Sequence, residues 1–307
     1  MKKLIIAILI LSLLTACGGA NEPKEEKLKI GVVQLMEHLA LDDCYKGFEE
    51  ELENLGIECE IIYKNAQGDI ATARTISEKL VQDEVDLIFA IATGAAEAAV
   101  STGTDIPILF SAVTDPIEAH LVESLEEPGA NCSGTSDAAD VLAQLKIFKE
   151  LDPEIETIGI IYSSDEINSL VQVEEVEKYA PECGLKVETS AIANISDLPQ
   201  IAQSLVKKVD ALYIPSDNKI AGSISLLADI LIKEKMISVC AEESQVTGGG
   251  LITNGISYYD LGAQTAKMAK RVLVDGEDIS KMPVEKGDNP RKVVNEETMK
   301  ALDLEIE

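Results

Sequence analysis

Short runs rich in Val, Ile and Leu alternate along this chain with stretches in which apolar residues recur every three or four positions. An uninterrupted apolar run of four to eight residues predicts a strand covered on both faces, and the longer spacing predicts an amphipathic helix. In the first half the predicted strands are residues 28–34, 59–64, 87–92 and 108–112. The predicted helices are 41–55, 70–82, 95–101 and one around 117–125. The first helix carries Phe48, Leu52 and Leu55 on one stripe and stops at Gly56.

The same rhythm then restarts. Strands are predicted at 157–162, 186–191, 211–214 and 237–241, and helices at 167–179, 198–206 and 220–233. The four strand starts differ between the halves by 129, 127, 124 and 129 positions, as in 28 to 157 and 108 to 237. Alternating strands and helices give a parallel sheet with helices on both faces. The fold class expected is therefore α/β, with two doubly wound parallel-sheet lobes of similar architecture. The last fifty residues predict a strand at 251–255, a helix at 260–273 and a short helix capped by Asn295.

The first residues read differently. Lys2 and Lys3 precede an apolar run over 4–14, and Leu14-Thr15-Ala16-Cys17 follows with Gly18 and Gly19 behind it. A charged start, a short apolar core and small residues make a secretory signal, residues 1–16. The run is too short to span a bilayer, which takes about 20 apolar residues. Residues 17–27 form a polar tether. Leu-Thr-Ala-Cys resembles the bacterial lipobox, which implies acylation of Cys17, anchorage to the cell membrane by lipid and an extracytoplasmic location. Two or three acyl chains hold a protein at a membrane stably, at about 0.8 kcal/mol per buried methylene.

Composition narrows the partners. The formal charge of −29 is a poor surface for nucleic acid, which needs clustered Lys and Arg. Many acids sit on helix faces, as in Glu49-Glu50-Glu51-Leu52-Glu53, and read as solvated surface. With Cys17 assigned to lipid, Cys44, Cys59, Cys132, Cys183 and Cys240 remain, an odd number without a C-x-x-C spacing. Neither a metal ribbon nor a redox motif is indicated, and several are expected to be small buried apolar residues.

Several segments stand out along the first half: Glu37-His38-Leu39-Ala40-Leu41-Asp42, Asn65-Ala66-Gln67-Gly68-Asp69, Ala90-Ile91-Ala92-Thr93 and Ala112-Val113-Thr114-Asp115-Pro116. Tyr162-Ser163-Ser164, Asn168-Ser169, Pro215-Ser216-Asp217-Asn218 and Tyr258-Tyr259-Asp260-Leu261-Gly262 follow in the second half. Together they resemble the tryptophan/tyrosine-type ABC-transporter substrate-binding lipoproteins, which have the type I periplasmic-binding fold. The resemblance implies lobes joined by three crossovers, near 135–140, 252–258 and 281–286. The N-terminal lobe is then 28–136 plus 255–280, and the C-terminal lobe 137–254 plus 281–307. It also implies a ligand in the cleft, aromatic amino acids in the known cases, and partner subunits: an ABC permease and its ATPase. The receptor itself is expected to be a monomer. Gly94, Asn254 and the cysteines at 44, 132 and 240 depart from the family pattern.

In open α/β sheets ligands bind outside the carboxyl ends of the strands, which selects the following loops independently of the resemblance. The carboxylate of an amino acid needs backbone N–H groups at a helix start and a hydroxyl. Thr93, Gly94 and Ala95 offer both, although Thr93 could be a plain cap. Thr114 and Asp115 occupy the loop after the fourth strand. Ser163 and Ser164 are the equivalent pair to Thr93 in the second half. Asp217 is the first candidate for the ammonium, or else a helix cap; Glu242 and Glu37 come next. Asn168 is a bidentate hydrogen bonder. His38 is either a cleft residue or a structural one, and His120 is expected at the surface. There is no Trp, and only 4 Phe and 7 Tyr, so few rings are available to stack on a ligand.

None of the motifs G-x-S-x-G, H-E-x-x-H, G-x-x-x-x-G-K-[ST] or G-x-G-x-x-G occurs. An enzyme, a cofactor and a metal site are not expected. The reading is a transport receptor that closes on a small molecule. Its alternatives are the same clamp for another amino acid, a nucleoside or a peptide-like molecule, and a sensor lipoprotein signalling to a membrane receptor.

Overall fold

The computed structural model describes residues 27–304; the secretory signal, the lipobox and Cys17 lie outside the described residues. Two six-stranded sheets organise the chain. The first contains β1 (Leu28–Gln34), β2 (Cys59–Asn65), β3 (Leu87–Ile91), β4 (Ile108–Val113), β5 (Cys132–Ser136) and, late in the chain, β11 (Glu285–Lys286). Its order is β11-β5-β4-β3-β1-β2, parallel throughout. The second contains β6 (Thr157–Ser163), β7 (Lys186–Ile192), β8 (Ala211–Ile214), β9 (Ile237–Cys240), β10 (Ile252–Gly255) and β12 (Arg291–Val294). Its order is β12-β10-β9-β8-β6-β7, and only β12 runs antiparallel. The run β4-β3-β1-β2 and the run β9-β8-β6-β7 have the same order, so the repeat seen in the strand spacing is a repeat of topology.

Helices cover both sheets. Around the first lie α1 (Leu39–Asn54), α2 (Ile70–Gln82), α3 (Thr93–Val100) and α10 (Tyr258–Leu273). Around the second lie α4 (Val141–Leu151), α5 (Ile167–Tyr179), α6 (Leu198–Leu205), α7 (Asn218–Ala221), α8 (Ile224–Lys233), α9 (Glu243–Thr247) and α11 (Glu296–Ala301). Side-chain caps begin several of them: Asp69 accepts from Thr72 N at 2.6 Å, Asp140 from Ala143 N at 2.9 Å and Asn295 from Thr298 N at 3.0 Å. Each satisfies a donor that the first turn leaves unpaired. The first core is built on Val32, Val33, Phe48, Phe89 and Phe110, with the rings of Phe48 and Phe89 stacked at 4.0 Å. The second sheet has a core on each face, one around Phe148 and Tyr213 and one around Leu198, Leu205 and Leu227.

Four expectations need correction. The stretch 117–125 is a series of turns, because Pro116 opens it, Asp115 caps it and His120 sits at φ 54°. The stretch 220–233 is two helices, α7 and α8, parted at Gly222 and Ser223. β5 and α4 have no counterpart in the predicted elements. The chain passes between the sheets at 137–140 and 256–257, within the expected crossovers, but the third passage is at 287–290 and not 281–286, because Glu285–Lys286 form β11 and pair with β5. Among the described residues no helix is long and apolar enough to cross a membrane. Cys44, Cys132 and Cys240 are buried, Cys59 and Cys183 half-buried, and all five are free.

Candidate functional site

The carboxyl ends of both sheets' strands face one another, and a cavity of about 310 Å³ lies between them. Its walls come from the loops after seven strands: His38 after β1, Ala112 and Thr114 at β4, Asp137 after β5, Asn168 after β6, Ser216 to Asn218 after β8, Glu242 and Gln245 after β9, and Tyr258 after β10. Ala40, Leu41 and Ala221 supply apolar wall. No Lys or Arg lines it.

At one end the residues are acidic. Tyr258 donates its hydroxyl hydrogen bond to Asp137 Oδ2, and both residues are buried. Asp137 Oδ1 and Thr114 Oγ1 have no hydrogen-bond partner among the described residues. Burial pushes the Asp137 carboxyl above the usual range, against the hydrogen bond from Tyr258, which pulls it down; the Thr114 hydroxyl is close enough to pull the same way but makes no hydrogen bond of good geometry to it. Glu242 begins α9, its carboxylate accepting from Ser244 N at 2.5 Å, Ser244 Oγ at 2.6 Å and Gln245 N at 3.1 Å. Desolvation still raises it to about 7, because the group is enclosed and Asp137 adds a like charge.

At the other end lie His38, Asn168, Asp217 and Asn218. Asp217 is enclosed and its oxygens accept from four donors: Ser163 N at 2.5 Å, Ser163 Oγ at 2.9 Å, Ser169 Oγ at 2.8 Å and Ile220 N at 2.9 Å. It therefore joins the ends of β6 and β8 and caps α7. Asn168 Nδ2 donates to Ser216 O at 2.8 Å. His38, from the first sheet's side, meets Asn218 Oδ1 from the second at 3.2 Å.

Of the residues singled out in the sequence, the cavity brings together His38, Thr114, Asn168, Asp217 and Glu242. Ser163 stands directly behind them as a donor to Asp217. The others lie elsewhere. Thr93, Gly94 and Ala95 are buried at the start of α3 beneath Leu35 and Ile70; a Cβ on Gly94 would stand 2.5 Å from Ile70 Cδ1. Asp115 caps the turn after β4, through Ile117 N at 2.9 Å. Ser164 is exposed and donates to Ile192 O at 3.3 Å, and Glu37 is exposed. Asp137 and Tyr258 were not singled out as ligand contacts. Their signal is positional, since both sit where the chain passes between the sheets.

A wider groove of about 1060 Å³ flanks the cavity between Met36 and Ile70 on one side and Asn194 and Lys219 on the other. None of its side chains carries a buried polar atom without a partner, whereas the smaller cavity has three: His38 Nδ1, Thr114 Oγ1 and Asp137 Oδ1. Buried polar groups are nearly always paired, so three bare ones on residues that line one space make it the candidate site for a polar ligand, although Gln34 Oε1, Thr93 Oγ1 and Thr253 Oγ1 are bare elsewhere. No group of three or more His, Cys, Asp or Glu among the described residues could hold a metal ion.

Two parallel sheets whose strand ends enclose a polar cavity define a two-layered binding protein. The chain belongs to the ABC transporter substrate binding protein family, whose model matches residues 29–307. Members of this family bind substrates and are not enzymes. The chain is 39% identical over 319 residues to a tyrosine-binding protein of Clostridioides difficile, covering 99% of this chain and 92% of that one. Among solved structures it is similar to an ABC domain from Streptococcus pneumoniae in complex with L-Trp, with a TM-score of 0.88 and 35% identity over 92% of this chain and 96% of that one. It is also similar to the ligand-free, open structure of a substrate-binding protein with adhesive properties from Clostridium difficile, with a TM-score of 0.72 and 42% identity over 91% and 96%.

Proposed function

We propose that this protein is the extracytoplasmic, lipid-anchored receptor of an ABC importer, and that it closes on an aromatic amino acid, tyrosine or tryptophan. The carrying observation is the set of bare polar atoms on the cavity wall. Asp137 Oδ1 is a free carboxylate oxygen for the ligand's ammonium, and the absence of Lys and Arg from the wall suits a cationic group there. Thr114 Oγ1 is a hydroxyl donor for the ligand's carboxylate. Ala40, Leu41, Ala112 and Ala221 give the side chain an aliphatic wall, and Tyr258 is the single aromatic ring. A tyrosine-binding protein and a tryptophan complex among the relatives support that ligand class.

The lobes would be 28–136 with 256–287, and 137–255 with 288–304, moving about the three passages. The fit to the open relative is poorer than the fit to the tryptophan complex, although its sequence is nearer. A difference in lobe angle would produce that reversal. A ligand that touches both lobes raises the population of the closed form, and the closed form would dock on the permease, whose ATPase partner drives transport. The receptor acts as a monomer held at the membrane through Cys17.

A thermal-shift panel of amino acids, nucleosides and sugars tests this. A ligand at 100 times its Kd stabilises the fold by about 2.7 kcal/mol, a rise of roughly 5 °C at this size. A rise confined to nucleosides or sugars would overturn the aromatic ligand, and no rise with any amino acid would favour a sensor of another molecule.

A further inference from the structure

The contact between His38 and Asn218 is one end of a longer chain of hydrogen bonds. Glu166, just before α5, accepts from Asn218 Nδ2 at 2.7 Å and Asn218 N at 2.9 Å, from Asn168 Nδ2 at 3.2 Å and from Lys219 N at 3.3 Å. A carboxylate in such a ring of N–H groups only accepts. The Asn218 amide must therefore turn its Nδ2 to Glu166 and its Oδ1 to His38. An amide oxygen is itself only an acceptor, so His38 Nε2 carries the hydrogen in this bond. Burial pushes the His38 imidazole below its ordinary pKa, against the opposing pull of Asn218, Asp42 and Asp217, and keeps the ring neutral. A neutral imidazole with its hydrogen on Nε2 has a lone pair on Nδ1. That Nδ1 is shielded from solvent, has no partner among the described residues and belongs to a ring on the cavity wall.

We propose that Glu166, Asn218 and His38 form a specificity relay across the two lobes: Glu166 fixes the Asn218 amide, Asn218 fixes the His38 tautomer, and His38 Nδ1 accepts a hydrogen bond from a donor on the ligand's ring. The ammonium is served by Asp137, which shares no hydrogen bond with this chain of residues, so the donor read here is the phenol O–H of tyrosine or the indole N–H of tryptophan. Phenylalanine has neither and would leave Nδ1 bare. The inference rests on the proposed aromatic ligand and adds what chooses among such ligands. Glu166 does not line the cavity and acts as a positioning residue.

Calorimetric titration of the protein with L-tyrosine, L-tryptophan and L-phenylalanine tests it. Tyrosine and tryptophan should bind about tenfold or more tightly than phenylalanine. The tyrosine-to-phenylalanine ratio should collapse toward one in His38→Leu, and fall in Glu166→Gln, whose amide lets Asn218 turn either way. Equal binding of tyrosine and phenylalanine by the unaltered protein, or an unchanged ratio in His38→Leu, overturns the relay while leaving the aromatic ligand standing. Failure of all three to bind overturns the aromatic ligand. The relay is then judged on the imidazole, by nitrogen NMR of protein labelled at histidine. Hydrogen on Nε2, with a mixed population in Glu166→Gln, supports it; hydrogen on Nδ1 or a mixture in the unaltered protein overturns it.

Discussion

Tyr258 gives its hydroxyl hydrogen bond to Oδ2 of Asp137, and Oδ1 of the same carboxylate is left bare on the cavity wall. Both residues stand beside passages between the sheets, so the proposed ammonium site lies where the proposed lobes would hinge. Asp137→Asn removes the charge but keeps the shape and an acceptor for Tyr258. Affinity for the amino acid should fall by about 2–5 kcal/mol, as when one partner of a buried charge pair is lost. The unliganded thermal midpoint should hold or rise, since an uncompensated buried charge has gone. Tyr258→Phe should weaken binding about tenfold. Calorimetry and melting of the same samples separate the two effects.

Asp217 lines the cavity, but its oxygens already hold four donors. Its chief role is to tie β6 to β8 and to start α7. Asp217→Ala should therefore destabilise the protein by about 2–4 kcal/mol, through buried donors left unpaired. Urea unfolding checks this. A variant as stable as the parent would show that the carboxylate is held for the ligand and not for the fold.

Glu242 gives a pH dependence with a definite sign. Its carboxyl is raised to about 7 in the folded chain, chiefly by burial, from an ordinary 4.5. The folded protein thus keeps a proton that the unfolded chain has released, and stability falls as pH rises from about 4.5 to 7, by up to roughly 3 kcal/mol. Asp137 is shifted in the same direction. Glu242→Gln should flatten this slope without removing it. An ammonium entering beside these groups favours their charged forms, so binding near pH 7 should release protons. Titrations in buffers of different ionisation heat read that release directly.

Gly47 of α1 and Gly262 of α10 let two helices touch backbone to backbone. A Cβ on Gly47 would stand 2.0 Å from Tyr259 O, and one on Gly262 1.9 Å from Cys44 O. Neither backbone can yield cheaply. Gly47→Ala and Gly262→Ala should each cost about 3 kcal/mol or more, against a fraction of that for Ala at an open helix site. Denaturant midpoints of the two variants test this.

The succession of strands along the chain could be read because β1, β3, β4, β6, β8 and β9 are buried apolar runs and the spacing repeats, with β2 and β7 as more exposed edge strands. β5 escaped that rule. Its five residues, Cys-Ser-Gly-Thr-Ser, are all buried yet mostly polar. Their hydroxyls are all absorbed: Thr135 Oγ1 meets Ser111 Oγ and Thr265 Oγ1, each at 2.8 Å, Ser133 Oγ donates to Met282 O at 2.7 Å and Ser136 Oγ to Thr114 O at 3.1 Å. Such pairing lies far apart in sequence. α4 carries a signal, with Val141, Leu145 and Phe148 at helical spacing, but it directly follows the first passage and has no counterpart among the predicted elements.

The site was legible in part for a related reason. The rule that ligands lie beyond strand ends found His38, Thr114, Asn168, Asp217 and Glu242. It could not tell an open strand end from a covered one: Leu35 and Ile70 pack over Gly94, and Thr93 is buried off the cavity wall. Nor could it tell that Asp217 is saturated by serines while Asp137 is bare.

Titration calorimetry of L-tyrosine and L-tryptophan into the protein and into Asp137→Asn is the most direct test of the account. The account predicts tight one-to-one binding of both by the parent and a loss of about 2–5 kcal/mol in the variant. Unchanged affinity in Asp137→Asn would contradict the site, and no binding of either by the parent would contradict the ligand.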